Sequence, residues 1–152
     1  MPNRLFFPLL LASSTVLADP ADTLLRQAEA HYGEVGREQA LVDFTVEQAF
    51  RDGDLYVFCV DDSHRMSASG GFPRMVGVDI DRFNVGGRSG LASFMTRKAS
   101  QAGDEGRVEY AWLNPASGRI EQKSVIFRRF GQDVCGVGHY EPVEETAASA
   151  AS

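Results

Sequence analysis

Two tight turns divide the last third of the chain into three consecutive strand patterns, which restricts the fold more than any other feature. The first turn contains Pro115, which fixes φ, and Gly118, which tolerates a positive φ; the second is Gly131-Gln132. The flanking segments have the apolar, β-branched and aromatic composition of strands and cover residues 107–113, 120–130 and 133–140. Strands joined by such short connections pair antiparallel, so the sequence predicts a β-meander.

Helical and strand patterns precede this meander. Residues 22–31 carry apolar side chains at helical spacing, and a second stripe follows Gly33 and Gly36, at Ala40, Leu41, Phe44 and Val46. These segments form either two packed helices or one kinked helix. Further along, the sequence predicts a buried strand at 55–60, a return strand at 65–69, a glycine-rich loop at 70–84, and a third helix that starts at Ser89 or Gly90 and ends at Gly103. We therefore expect an α+β domain whose sheet is covered by helices on one side.

The first 18 residues have the pattern of a secretory signal peptide. Arg4 supplies the positive charge, residues 5–11 are mostly apolar, and Val16-Leu17-Ala18 resembles a cleavage site, so cleavage is expected near Ala18. The apolar run falls short of the roughly 20 residues of a transmembrane helix. We expect a periplasmic or secreted protein without membrane insertion, with one domain at 19–141 and a disordered tail at 142–152.

The charge balance narrows the choice of partners. The chain has 15 Lys and Arg residues against 21 Asp and Glu residues, a formal net charge of −6. Nucleic acids and anionic lipids are recognised mainly by clustered basic residues, so neither is expected as a partner. The acidity is interpreted as a contribution to solubility.

Two cysteines, Cys59 and Cys135, each lie inside an apolar strand pattern. An even number of cysteines in an oxidising compartment is compatible with a disulfide, provided that the two Cα atoms lie within about 7 Å. Two buried thiols that pack as small apolar side chains are the alternative. The residues alone leave both open.

The hairpin at 109–123 carries the strongest candidate for a binding site. Tyr110, Trp112 and Asn114 share one face of their strand, and Lys123 on the returning strand is a natural partner for an anion. Ordinary core aromatics with a solvated lysine are the alternative. Tyr56 and Tyr140 are further candidates of the same kind. Arg74 and Arg107 could clamp a carboxylate, and ordinary surface arginines are the alternative.

Other chemistries have weaker signals. Asp52, Asp54, Asp61 and Asp62 lack the ligand order of a calcium loop. The three histidines and two cysteines show no zinc spacing, and no serine, histidine and acid set has a recognisable context. We expect no metal, no cofactor and no enzymatic activity.

Five blocks of the sequence together resemble the single Cache type 2 family, the extracytoplasmic sensing domains usually found on bacterial chemoreceptors and histidine kinases. They are residues 33–41 (GEVGREQAL), 50–58 (FRDGDLYVF), 110–115 (YAWLNP), Lys123 and 136–140 (GVGHY), in the order of the family. The similarity extends from about Ala21 to Glu141.

The resemblance implies a PAS-like fold in which a long N-terminal helix packs on a central antiparallel sheet with adjacent first and last strands. That adjacency would place Cys59 beside Cys135 and so favours the disulfide. The resemblance also implies a pocket for small organic acids, and it makes homodimerisation through the long helix a candidate interaction. Two features depart from the family: Ile126 replaces a common tyrosine, and the chain lacks the two flanking transmembrane helices.

Two hypotheses for the function follow. The first is a soluble periplasmic sensor domain for a small organic anion such as a short carboxylate, which signals through a separate membrane receptor or histidine kinase. The second is a structural or protein-interaction module that keeps the fold without binding a ligand; Ile126 is the residue that favours it.

Overall fold

The computed structural model of the protein describes residues 17–84, 89–101 and 103–143. Nearly all of the predicted leader, and residues 144–152 of the predicted tail, lie outside the described residues. Within them, the chain forms three α-helices and a five-stranded antiparallel sheet, together with a two-stranded hairpin.

Two helices begin the domain. Helix α1 (Pro20–Val35) is capped by Asp19, whose side chain accepts a hydrogen bond of 3.0 Å from the Ala21 amide. It ends at Gly36, whose φ of 85° breaks the helix, and α2 (Arg37–Val46) follows directly. Gly33 lies inside α1, so the break between the two apolar stripes is at Gly36. The structure therefore contains two packed helices.

The central segment forms short strands and a third helix. In chain order these elements are β1 (Arg51–Asp52), β2 (Leu55–Tyr56), β3 (Phe58–Val60), β4 (Met66–Ser69) and α3 (Leu91–Gln101). The single strand expected at 55–60 is divided at Val57, because β2 pairs with β1 while β3 pairs with β4 and the last strand. None of the helices described is long and apolar enough to cross a bilayer.

The predicted meander is confirmed by β5 (Glu105–Asn114), β6 (Arg119–Phe130) and β7 (Asp133–Glu141). The strand order in the sheet is β4-β3-β7-β6-β5, so β3 lies beside the last strand. Cys59 of β3 is directly opposite Cys135 of β7, with 4.0 Å between the Cα atoms, and the two form a buried disulfide.

The sheet is covered on both faces, which differs from the expectation that helices cover one side. Helices α1 and α2 pack on the face that carries Cys59, Ile126 and Val137. Helix α3 and the loop at 70–84 pack on the opposite face, which carries Phe58, Val125 and other apolar residues. The strands carry apolar side chains on both faces, so a single helical layer would leave one apolar face in water.

Asp133, at the start of β7, connects the helices to the sheet. Its buried carboxylate accepts hydrogen bonds from Tyr32 Oη at 2.7 Å, Arg37 Nε at 2.7 Å and Ser67 Oγ at 2.8 Å. Burial and the bond to Asp133 raise the pKa of Tyr32. One side chain thus joins α1, α2 and β4, which fixes the helical layer against its face of the sheet.

Candidate functional site

Lys123 lies at the centre of the face opposite α1 and α2. In the sheet it stands between Tyr110 of β5 and Tyr140 of β7, its direct cross-strand neighbours. Its side chain is fully buried, with 1% of its surface exposed. The sequence left open whether this lysine is a solvated residue at the rim, and the structure shows that it is not.

Three aromatic rings surround the Lys123 ammonium, and we call them the aromatic cage. The distances from Nζ to the ring centroids are 4.3 Å for Tyr56, 4.6 Å for Phe58 and 5.2 Å for Tyr140. A cation within about 6 Å of an aromatic ring is attracted by the quadrupole of the ring, and the attraction strengthens when water is excluded. The cage therefore suits a buried amine.

A directed chain of hydrogen bonds connects the amine to the backbone. The Tyr140 hydroxyl donates to the Leu113 carbonyl at 3.0 Å. The Tyr140 proton is used in that bond, so the Tyr140 oxygen accepts a hydrogen bond from the Tyr56 hydroxyl at 2.7 Å. Lys123 Nζ in turn donates to the Tyr56 oxygen at 3.1 Å. The chain couples the protonation and position of Lys123 to the end of the β5–β6 hairpin.

Burial changes the acid–base chemistry of the cage. It lowers the pKa of Lys123 to about 7, because desolvation disfavours the charged form, and the negative charge of Asp54 opposes this only partly. Desolvation also raises the pKa of Tyr56 to about 12, and those of Tyr110 and Tyr140 are raised as well. Among Lys123 and the tyrosines around it, Lys123 is thus the group that changes charge near neutral pH.

A small apolar space, which we call the inner cavity, adjoins the cage. The volume open to the centre of a water molecule is about 20 Å³, enough for about one water. Side chains of the sheet, of α3 and of the loop at 70–84 line it, among them Tyr56, Phe58, Ser69, Phe72, Leu91, Met95, Tyr110, Trp112 and Lys123. The inner cavity is small and mostly apolar, with one amine at its wall.

The structure brings together most of the candidate residues but not all of them. Tyr56, Tyr110, Trp112 and Lys123 line the inner cavity, and Tyr140 joins them through its bond to Tyr56. Arg74 is exposed on the loop at 70–84 and is not among the lining residues.

Arg107, the other arginine considered for a carboxylate, lines a separate cleft with Asp19 and His139. Sequence reasoning missed Phe58, Phe72 and Met95. Phe58 follows Tyr56 by two residues, so the alternation of side chains in a strand predicts that the two lie on the same face. Phe72 lies in a loop and Met95 in a helix. Local sequence patterns do not show that these two elements pack over the sheet.

Ile126 does not remove a contact from the pocket. Residues 123 and 126 point to opposite faces of β6, and Ile126 packs with the core beneath α1 and α2. A polar side chain at residue 126 would face that core and not the cavity. The interpretation that Ile126 favours a module without ligand is therefore wrong.

Two glycines of β7 make room for the cage. A Cβ atom on Gly136 would lie 3.0 Å from the Phe58 ring, and one on Gly138 would lie 2.8 Å from Lys123 Cε. Both distances are shorter than ordinary carbon contacts. Gly136 and Gly138 thus leave space for the side chains of Phe58 and Lys123.

A serine, a histidine and an aspartate do meet elsewhere, at the start of α3. Asp81 accepts hydrogen bonds from the Ser93 amide at 3.0 Å and from the Ser93 hydroxyl, and His64 Nδ1 lies 2.8 Å from the same carboxylate. The serine and the aspartate contact the same ring nitrogen, whereas a catalytic triad uses both nitrogens. The arrangement attaches the loop to α3. In the described ranges, no group of three or more His, Cys, Asp or Glu residues is placed to hold a metal ion.

A comparison with models of protein families finds no match, and a comparison with curated protein sequences finds none either. Solved structures are similar. A methyl-accepting chemotaxis protein from Vibrio parahaemolyticus superposes with a TM-score of 0.66 at 15% identity, over 79% of this chain and 85% of that one.

Two further structures superpose with a TM-score of 0.60. A periplasmic sensor domain of a chemotaxis protein is 21% identical over 78% of this chain and 86% of that one. A Cache chemosensory domain that recognises carboxylic acids is 20% identical over 78% of this chain and 84% of that one. Together with the strand order and the helical layer described above, these similarities show that the protein has the fold of the Cache-type sensor domains of chemotaxis proteins.

Proposed function

We propose that this protein is an extracytoplasmic sensor domain that binds a small organic anion, a short carboxylate, beside Lys123. One observation carries the proposal. Lys123 is fully buried, and in the described part of the chain no carboxylate forms an ion pair with it. The negative charge that affects the pKa of Lys123 is that of Asp54, and the Asp54 side chain accepts a hydrogen bond from Asn114 at the end of the hairpin.

The chemistry of the amine explains the choice of ligand. An ammonium group has three N–H donors, and the Tyr56 hydroxyl is the acceptor that the described residues provide. Burying a charge is costly unless it is paired and hydrogen-bonded. A carboxylate supplies two acceptor oxygens and the opposite charge, so it would satisfy the donors that Tyr56 leaves over.

Two further observations support the sensor assignment. One of the similar structures is a Cache chemosensory domain that recognises carboxylic acids, and the other two belong to chemotaxis proteins. The buried Cys59–Cys135 disulfide fits an oxidising compartment outside the cytoplasm, as does the leader-like sequence at 1–18. A separate membrane receptor or histidine kinase would then receive the signal.

The hydrogen-bond chain offers a route for that signal. A carboxylate that pairs with the other two N–H groups would pull the ammonium toward itself and so alter its bond to the Tyr56 hydroxyl, which is bonded through Tyr140 to the Leu113 carbonyl. Binding would therefore bias the position of the β5–β6 hairpin end. A ligand shifts a conformational equilibrium by the difference between its affinities for the two states.

The size of the inner cavity favours a second candidate function, an interaction module that keeps the fold without a ligand. At about 20 Å³, the cavity has no room for a carboxylic acid unless its wall moves. In such a module the cage would be a packed core with a neutral lysine. The two candidates differ in whether a carboxylate stabilises the folded protein.

Thermal unfolding with acetate and propionate, and with methylamine as a cation of similar size, separates the candidates. A ligand at one hundred times its Kd stabilises the native state by about 2.7 kcal/mol, which raises the midpoint of a domain of this size by on the order of 10 °C. Lys123→Met should abolish the shift, whereas Lys98→Met, which changes the other lysine of the chain, should preserve it. If neither acid moves the midpoint at millimolar concentrations, the sensor proposal is wrong and the second candidate stands.

A further inference from the structure

A second apolar space, which we call the outer pocket, lies on the surface beside the inner cavity. The volume open to the centre of a water molecule there is about 400 Å³. It is lined by apolar side chains of the loop at 70–84 and of the β5–β6 hairpin, chiefly Phe72, Met75, Phe83, Trp112, Leu113 and Ile120. Ile120 is 61% exposed and Phe83 is 43% exposed, so the pocket presents apolar surface to water.

Phe72 and Trp112 belong to both spaces. Each lines the inner cavity on one side and the outer pocket on the other. Their ring centroids are 6.2 Å apart, the rings are close to perpendicular, and both side chains are half-buried. The two rings therefore lie between the inner cavity at Lys123 and the outer pocket.

The backbone at Phe72 is held in place by its neighbours. A Cβ atom on Gly71 would lie 2.5 Å from the Tyr56 ring, so the glycine lets the loop lie directly on the cage. The Phe72 amide donates to the Ser69 hydroxyl at 3.0 Å, which fixes the backbone. Rotation of the half-buried Phe72 ring about its side-chain torsion would open the layer of two rings without moving this support.

Charge restricts what can occupy the two spaces. Among the described residues that line them, Lys123 is the only charged side chain. One carboxylate therefore finds a partner of opposite charge, whereas a second carboxylate or an amine at the far end of the same molecule would find none among these residues and would lose part of its hydration against apolar side chains. The volume for the remainder of the molecule lies in the outer pocket.

We propose that the ligand is a monocarboxylate with an apolar tail the size of a short alkyl chain or an aromatic ring. Its carboxylate pairs with Lys123, and its tail passes between Phe72 and Trp112 into the outer pocket. This inference rests on the proposed function, because it takes carboxylate binding at Lys123 as given. It adds the class of the ligand and a role for the outer pocket.

Isothermal titration of the purified protein with acetate, butyrate, hexanoate and phenylacetate tests the inference, with adipate and hexylamine as controls. Each CH₂ group of the tail that becomes buried should tighten binding by about two- to fourfold. Adipate, which has the length of hexanoate and a second carboxylate, should bind at least about tenfold more weakly than hexanoate. Hexylamine should not bind.

Surface variants locate the tail. Ile120→Ser should remove most of the gain from acetate to hexanoate and leave the affinity for acetate unchanged. Val42→Ser is the matched control, because Val42 is 55% exposed on α2, away from both spaces. Both positions are on the surface, and circular dichroism confirms that the variants are folded.

The outcomes distinguish this inference from the proposed function. If acetate binds through Lys123 but hexanoate binds no more tightly, the inference is wrong and the proposed function stands. If no carboxylate binds, both are wrong. If hexanoate binds equally well to Lys123→Met, or hexylamine binds as well as hexanoate, the tail occupies the pocket without the ion pair, and the inference is overturned.

Discussion

Gly138 of β7 lies against the stem of Lys123 on the neighbouring strand, where a Cβ atom would come within 2.8 Å of Lys123 Cε and 2.9 Å of Cγ. The lysine cannot move away easily, because its side chain is fully buried and its ammonium lies inside the aromatic cage. The absence of a side chain at residue 138 is therefore a condition for the site.

Gly138→Ala should consequently destabilise the protein and weaken carboxylate binding. Overpacking of a core by one methyl group costs about 1–3 kcal/mol, to be measured by urea denaturation. Gly33→Ala is the matched control, because Gly33 is helical and has no atom within 4 Å of the added methyl; it should stabilise by about 0.5–1 kcal/mol. An unchanged midpoint for Gly138→Ala would contradict the packing described for Lys123.

Carboxylate affinity should fall as the pH rises above about 7. The anion pairs with the ammonium form of Lys123, and burial lowers the pKa of this group to about 7. The ligand is ionised throughout this range, so the apparent Kd should increase by about tenfold per pH unit between about pH 7 and 9. Titration calorimetry at pH 6, 7, 8 and 9 gives the dependence. An affinity that is constant over this range would show that Lys123 is not the group that binds the anion.

The stability of the ligand-free protein should depend on pH in the opposite direction. Between about pH 7 and the ordinary pKa near 10.5, the unfolded chain holds a proton on Lys123 that the folded chain lacks. Unfolding therefore takes up a proton, and the contribution of this group to stability rises with pH by up to about 1.4 kcal/mol per unit. Below about pH 7 both states are protonated and the dependence ends.

Lys123→Met isolates this contribution, because it removes the titrating group and leaves the other ionisable residues in place. The difference in the free energy of unfolding between the natural protein and the variant should change with this slope from pH 7 to pH 9. The tyrosines beside Lys123 should not contribute, since their pKa values are raised. Parallel pH profiles for the two proteins would mean that Lys123 is not buried as described.

Asp133→Asn should loosen the attachment of the helices to the sheet. The substitution removes the charge that Arg37 contacts at 2.7 Å and 3.1 Å and weakens the acceptor of the Tyr32 hydroxyl. We expect a loss of about 2–4 kcal/mol in the free energy of unfolding. Arg26→Gln breaks a surface ion pair with Asp22 instead and should cost much less, because water screens charges at the surface. Equal losses in the two variants would exclude a structural role for the buried carboxylate.

The Cys59–Cys135 disulfide should contribute substantially to stability. It closes a loop between residues 76 apart in the sequence, for which the chain-entropy model gives about 4 kcal/mol. A Cys59→Ala and Cys135→Ala double variant should unfold at a lower urea concentration than the oxidised protein. Intact mass before and after reduction of the unfolded protein provides the control, because an oxidised chain gains two hydrogens. A chain that gains none carries no bridge.

Local patterns predicted the strands and the two turns of the meander, because turn-forming residues and strand composition act over a few residues. The alternation of side chains along a strand also predicts which face each residue occupies, and two such predictions follow from the sequence. Residues 123 and 126 are three apart on one strand and so face opposite sides, which separates Ile126 from the cavity. Phe58 follows Tyr56 on the same face for the same reason. Arg74 lies in a loop, where no period assigns a direction to the side chain.

The sequence by itself determined the antiparallel meander, the break between the first two helices and the alternation that places Tyr110 and Trp112 on one face. These properties depend on backbone geometry and on neighbours a few residues away. Only the tertiary structure decided that Lys123 is buried in an aromatic cage, because burial depends on α3 and the loop at 70–84, which pack over β6 from distant parts of the chain. The pairing of Cys59 with Cys135 was decided in the same way, since two strands 76 residues apart had to become neighbours in the sheet.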